Sequence, residues 1–128
     1  MKVPSFLARQ FYVEGSLRNA PSGFALEAQN PLGTGVLIGV GPMSVDGKPI
    51  EREAVSARRA GDEAEIRATD LSTRNPIRIQ KGDRVTLTIT GEQLAPGEHL
   101  LEVELIEINL GRLRFSITDR LNEAGGRR

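Results

Sequence analysis

Between Asp83 and Ile108 the chain reads DRVTLTITGEQLAPGEHLLEVELIEI, with apolar residues at every second position on both sides of a Pro-Gly turn. Val85, Leu87 and Ile89 alternate with Thr86, Thr88 and Thr90; on the return, Leu101, Val103 and Leu105 alternate with Glu102 and Glu104. A period of two puts one apolar set on a single face of a strand, so the spacing predicts two half-buried strands joined as a hairpin. After Leu105 the phase changes: Glu107 takes the apolar parity, and Ile106 and Ile108 take the polar one. A β-bulge produces such a switch, as does a strand that leaves one sheet for another.

The same reading extends along the chain. Phe11 to Asn19 holds a first strand, followed by a turn at Pro21-Ser22-Gly23. Phe24, Leu26 and Ala28 alternate through a second strand that ends at Asn30-Pro31. Its expected partner is Gly35 to Val40, a near-continuous apolar run that suits a strand covered on both faces. Asp46-Gly47 marks a tight hairpin between Val45 and Ile50, because a type I′ turn needs positive φ at both central positions. Ala54 to Ala60 and Glu63 to Ala68 read as charged edge strands around Gly61-Asp62; an amphipathic helix over Glu51 to Arg67 competes, but Gly61 interrupts it. Ile77 and Ile79 begin another short strand, and Leu113, Phe115 and Ile117 share one face of the last.

About eight short strands with turns roughly every ten residues predict an all-β fold, an antiparallel β-sandwich with a β-barrel as runner-up. Residues 1–121 form one domain in this reading, and 122–128, which lack an apolar anchor, a disordered tail. The N-terminal segment MKVPSFLARQFYVEG reads as a surface-crossing lead into the first strand. Arg9 and Gln10 break its apolar run short of the roughly 7–15 residues of a signal-peptide core. No stretch approaches the roughly 20 apolar residues of a membrane span, so a soluble, cytoplasmic protein is expected.

Composition narrows the function classes. Seventeen basic residues balance seventeen acidic ones, which leaves no net field to draw nucleic acid or an anionic membrane. Tyr12 and four Phe are the only aromatics, too few for a base-stacking surface. The absence of cysteine fits a reducing compartment.

The chemistry-bearing residues are sparse. His99 is the only histidine, so no two-histidine metal site forms within one chain, and its place after a Pro-Gly turn reads as an exposed strand start. Glu102 and Glu104 share a strand face and could be taken for a carboxylate pair, but Glu opposite a Leu-Val-Leu face is the composition of a solvated sheet surface. Gly33-Thr34-Gly35 lacks the Lys-Ser/Thr of a phosphate loop and reads as a turn or bulge. No nucleophile, base and orienting group can be assembled, and the site prediction is accordingly no catalytic, cofactor-binding or metal-ligating residue in this chain.

Three phrases carry a resemblance: VEGSLRN (Val13 to Asn19), SVDGKPI (Ser44 to Ile50) and LAPGEHLLEVEL (Leu94 to Leu105). Their wording and order resemble the small (beta) subunits of bacterial C-glycoside deglycosidases. That resemblance implies a β-sandwich that associates with a TIM-barrel, sugar isomerase-like catalytic subunit. The partner, not this chain, would carry the divalent metal, manganese, and the acid-base residues that cleave the carbon–carbon bond of a 3-keto-C-glycoside.

The expected function is therefore a non-catalytic accessory subunit that stabilises a metal-dependent catalytic partner. The alternative is a self-associating sandwich that binds an unknown ligand. The expected partner-facing residues are Asn30, Leu32, Val36, Ile38 and Val40, with His99; burial of that apolar run inside the sandwich stands beside this reading.

Overall fold

A computed structural model describes residues 3–31 and 33–121. Among these, a short helix, α1 (Ser5–Phe11), precedes eleven strands: β1 (Arg18–Ala20), β2 (Gly23–Gln29), β3 (Gly35–Val40), β4 (Met43–Val45), β5 (Lys48–Ile50), β6 (Val55–Arg59), β7 (Ile66–Arg67), β8 (Ile77–Ile79), β9 (Arg84–Thr90), β10 (Gly97–Glu107) and β11 (Gly111–Leu121). They form two antiparallel sheets. One has the order β1-β2-β9-β6-β7; the other has the order β5-β4-β10-β3-β8, with β11 paired to β10. The sheets do not close into a barrel, so the fold is an all-β sandwich.

The period-two pattern acts here through register. Phe24 lies opposite Ile89, Leu26 opposite Leu87 and Ala28 opposite Val85, while Val55 and Ala57 flank Ile89 and Leu87 from the other side. In the second sheet Leu101 meets Val45 and Ile117, Val103 meets Phe115, and Leu105 meets Val40 and Leu113. These inward sets pack into one core, in which Leu26, Leu87, Leu101, Val40 and Val55 are among the most deeply buried side chains. Each such Leu or Val contributes roughly 1.5–3 kcal/mol by leaving water.

The strands occur where alternation places them, but several neighbours differ from expectation. The Asp83–Ile108 segment is not a hairpin: β9 pairs with β2 and β6, whereas β10 pairs with β3, β4 and β11 in the opposite sheet. Residues 91–96 are an arch between the layers. β3 likewise pairs with β10 and β8, not with β2. A period-two strand can satisfy its apolar face against any neighbour, so adjacency in the chain is a poor guide to pairing.

The phase change after Leu105 is neither a bulge in β10 nor a change of sheet. Pairing of β10 with β11 runs unbroken from Gly97–Leu121 to Glu107–Gly111, whereas the register with β3 passes from Ile106–Gly39 to Glu107–Leu37 and skips Ile38. The bulge therefore lies in β3, with Ile38 as the extra residue. β10 keeps its alternation, and Glu107 turns inward at its end.

Other expectations need local correction. Phe11 to Asn19 is not one strand. Tyr12 and Val13 bond to β2, the chain then loops through Gly15 (φ 81), and pairing resumes at Arg18. The segment before it is the helix α1, whose Ala8 and Phe11 are buried; Phe11 lies 6.5 Å from the ring of Phe115. Val3 N–H donates to the Arg114 carbonyl, which covers part of the outer edge of β11. The Asp46-Gly47 turn forms with φ of 53° and 82°, as a type I′ hairpin requires. Of the two strands expected at an edge, β6 is interior and β7 is at the edge; the competing helix over residues 51–67 is reduced to a 3-10 turn at Arg52–Ala54. Strands number more than the expected eight because several are pieces of two or three residues. The 122–128 segment lies outside the described residues. Among those described, no helix is long and apolar enough to cross a membrane.

Candidate functional site

The two ends of the sandwich differ in kind. At the end where β9 arches into β10, polar side chains are knitted into the fold. His99 is 8% exposed, not an exposed strand start. Its Nδ1 lies 2.6 Å from Asp46 Oδ2 and its Nε2 lies 2.7 Å from the Ala95 carbonyl. Both partners are acceptors, so both ring nitrogens donate when the imidazole is protonated. Burial opposes that charge, but the Ala95 carbonyl and the Asp46 carboxylate outweigh it and raise the His99 pKa above its ordinary value. His99 in turn, with the Leu100 N–H, holds Asp46 below the usual carboxylate range. The pair clamps the tip of the β4–β5 hairpin to the arch.

Asp119 plays a similar part at the same end. Its carboxylate accepts the Tyr12 hydroxyl and the backbone N–H groups of Gly15 and Leu17. Burial and this bond push the Tyr12 phenol far above its ordinary value, so it remains a donor. The outer face of the second sheet carries the two glutamates. Glu102 is exposed and accepts the Ser44 hydroxyl at 2.8 Å. Glu104, by contrast, is 5% exposed, bonded to Arg112 and 3.7 Å from Arg114 Nε. The two guanidinium groups partner its carboxylate, so this glutamate is not part of a merely solvated sheet surface. A Cβ at Gly41 would collide with that carboxylate, which accounts for glycine there. These groups are spent on holding strands together.

The opposite end is open. Between the sheets lies a cavity of about 310 Å³, walled by Val85 and Leu87 of β9, Leu37 of β3, Leu105 of β10 and Leu113 of β11, with Phe11 of α1 reaching it. Ala28, with only a methyl group, and Gly35, with no side chain, also line it and add little bulk there. Gln29, Asn30, Thr34, Glu107 and Asn109 supply polar groups around it. Glu107 is the one charged residue among those lining the space. Its Oε2 accepts the Val36 N–H at 3.0 Å, and its Oε1 accepts those of Asn109 and Leu110, each at 2.8 Å. Burial raises the carboxyl pKa, but these three bonds together lower it below the usual range. Glu107 is thus a fixed negative charge.

This arrangement can enclose an apolar group beside a few polar contacts, which is the common form of a small-molecule site. Among the described residues that line it, Thr34 carries the one hydroxyl and Glu107 the one carboxylate. Among the described residues, no three His, Asp or Glu side chains gather in a way that could hold a metal ion.

The expected partner-facing residues divide accordingly. Asn30 and Val36 come together at the cavity, where Asn30 Nδ2 donates to the Gly33 carbonyl. Ile38 is the half-buried bulge residue, and Val40 is consumed by the sandwich's own core. His99 sits at the other end, and Leu32 lies outside the described residues. Gly33 has φ 134°, the unusual conformation expected of its turn, and Thr34 and Gly35 line the cavity. Phe11, Ala28, Glu107 and Asn109 were not singled out by sequence. The one available signal was the parity break at Glu107, which puts a charge in an apolar phase.

Residues 7–122 match the family described as Hydroxymethylglutaryl-CoA reductase, N-terminal domain. Comparison with curated proteins finds no match. The family match overturns the resemblance to C-glycoside deglycosidase small subunits and, with it, the carbohydrate-lyase complex. Its phrases describe sheet geometry: SVDGKPI is the β4–β5 hairpin, and LAPGEHLLEVEL is the arch and most of β10. Turn and strand constraints of that kind recur in unrelated sandwiches. The TIM-barrel partner and its manganese entered through that resemblance and lose its support. The match covers nearly all of the chain, and this protein belongs to the hydroxymethylglutaryl-CoA reductase N-terminal domain family.

Proposed function

We propose that this chain is a non-catalytic binding module that acts beside a catalytic chain or domain and takes an apolar group into the open end of its sandwich. The observation that carries the reading is the contrast between the two ends. Buried ionisable groups are committed to structural bonds at one, and an unfilled apolar cavity with a polar surround stands at the other. The family name supports the accessory role, since it describes a domain of a reductase; this chain would stand in the same relation to a catalytic neighbour. Its lack of cysteine supports a place in the cytoplasm.

Co-expression with a hydroxymethylglutaryl-CoA reductase catalytic domain from the same genome tests the association. Co-elution of the two on size exclusion is the expected result. Separate elution, with this chain only self-associating and reductase activity unchanged by its addition, would sink the accessory reading and favour a self-associating module.

A further inference from the structure

We infer that the cavity at the open end selects an uncharged hydrocarbon chain bearing a hydrogen-bond donor at its outer end, and excludes the corresponding carboxylate. This rests on the binding reading above and goes further by naming the ligand class. Two observations carry it. The first is size and lining. A cavity of ~150 Å³ lined by aliphatic and aromatic side chains stays dry and holds benzene. At about 310 Å³ this one is about twice as large and is lined mainly by apolar side chains, with Gln29, Asn30, Thr34, Glu107 and Asn109 beside them, so at that packing it has room for roughly ten to twelve carbons.

The second observation is charge. Glu107 is the charged group of the lining, and its three backbone N–H bonds keep it ionised. A second carboxylate brought beside it meets direct repulsion in a site partly shielded from water. Protonation of Glu107 is no escape, because the same bonds favour its charged form. Its acceptor capacity is also incomplete. Among the described residues, Oε1 takes two N–H groups and Oε2 takes that of Val36, whereas a carboxylate has about four lone-pair sites. An alcohol O–H or a primary amide N–H can occupy the remaining site; a carboxylate has no proton to offer. Among the described residues that line the cavity there is no Lys or Arg to pair with a carboxylate, and the Gln29 side-chain amide is bonded to the Gln10 carbonyl.

The test uses three probes of one chain length, decanol, decanamide and decanoate. Each is titrated against the isotope-labelled full chain at about pH 8, where the acid is ionised. Decanamide and decanol are expected to shift the amide resonances of Thr34, Leu105 and Leu113 saturably, and decanoate to bind about tenfold more weakly or worse. Equal or tighter binding of decanoate overturns the selection while leaving the cavity as a binding site. No saturable shift from any probe overturns the binding reading itself. Two filling variants, Ala28→Leu and Leu105→Phe, fix the location: in whichever remains folded by circular dichroism, binding is expected to fall at least about tenfold. Undiminished decanamide binding in a folded variant overturns the assignment to this cavity, and if neither folds, the resonances that shift in the unmodified chain decide it.

Discussion

Replacing His99 by glutamine removes the one imidazolium of the protein from between Asp46 Oδ2 and the Ala95 carbonyl. A hydrogen bond between charged groups contributes about 1.5–3 kcal/mol when buried. Here His99 is buried, but the Asp46 side chain is 47% exposed, so solvent screening reduces the figure to about 1 kcal/mol. The direction with pH follows from the shifts. The folded His99 pKa is raised above 6.5, so its stabilisation is complete below that value and is lost as pH rises through the folded pKa. The Asp46 pKa is lowered below 3.8, so its share is present above that value and disappears as pH falls through the folded one. The clamp is therefore strongest in mildly acidic solution.

Thermal unfolding at about pH 5.5 and about pH 8.5 provides the assay, with the histidine charged at the lower pH and less so at the higher. At the lower pH the unmodified chain is expected to melt roughly 3–5 °C above His99→Gln, with the gap narrowing at the higher pH. A two-dimensional NMR titration reads the same event directly, because a single histidine gives a single imidazole signature. A midpoint at or below 6.5, or a gap that does not change with pH, refutes the reasoning.

The remaining predictions concern buried contacts. Tyr12→Phe leaves the Asp119 carboxylate with backbone donors only and should cost about 1.5–3 kcal/mol in urea unfolding; a loss below about 0.5 kcal/mol would mean that the phenol bond adds nothing. Leu87→Ala removes a core side chain that also walls the cavity and should cost about 2–5 kcal/mol in the same measurement. Glu104→Gln weakens the contacts to Arg112 and Arg114 by about 1 kcal/mol, and added salt should shrink the difference from the unmodified chain; no salt dependence would argue against an ionic contribution. Gly23→Ala drives a methyl group into the Ile89 carbonyl, where β2 meets β9, and should lower stability by at least about 2 kcal/mol by calorimetry.

Much of the secondary structure was legible because its cause is local. Alternation at Val85–Ile89 and Leu101–Leu105 reflects the pleat of the backbone, and Asp46-Gly47 carries its turn in its own φ preferences. The helix α1 escaped notice because seven residues give its period too few repeats, and the helix owes its place to Phe115 on a distant strand. The candidate site was legible only at its margin, through Asn30, Val36 and the parity break at Glu107.

Local pattern could not say that β9 and β10 belong to opposite sheets, since an apolar face is satisfied by any layer that covers it. Nor could it separate Glu104 from Glu102, two residues apart on one strand: one is covered by Arg112 and Arg114 from the next strand, the other is not. Tyr12 and Asp119 are 107 residues apart, and His99 and Asp46 are 53 apart. Alternation along the chain therefore specifies which residues share a face and hence an all-β fold. Which strands become neighbours, which polar groups are buried, and where the layers leave a cavity unfilled depend on long-range packing, because burial and hydrogen bonding join surfaces in space irrespective of their order in the chain.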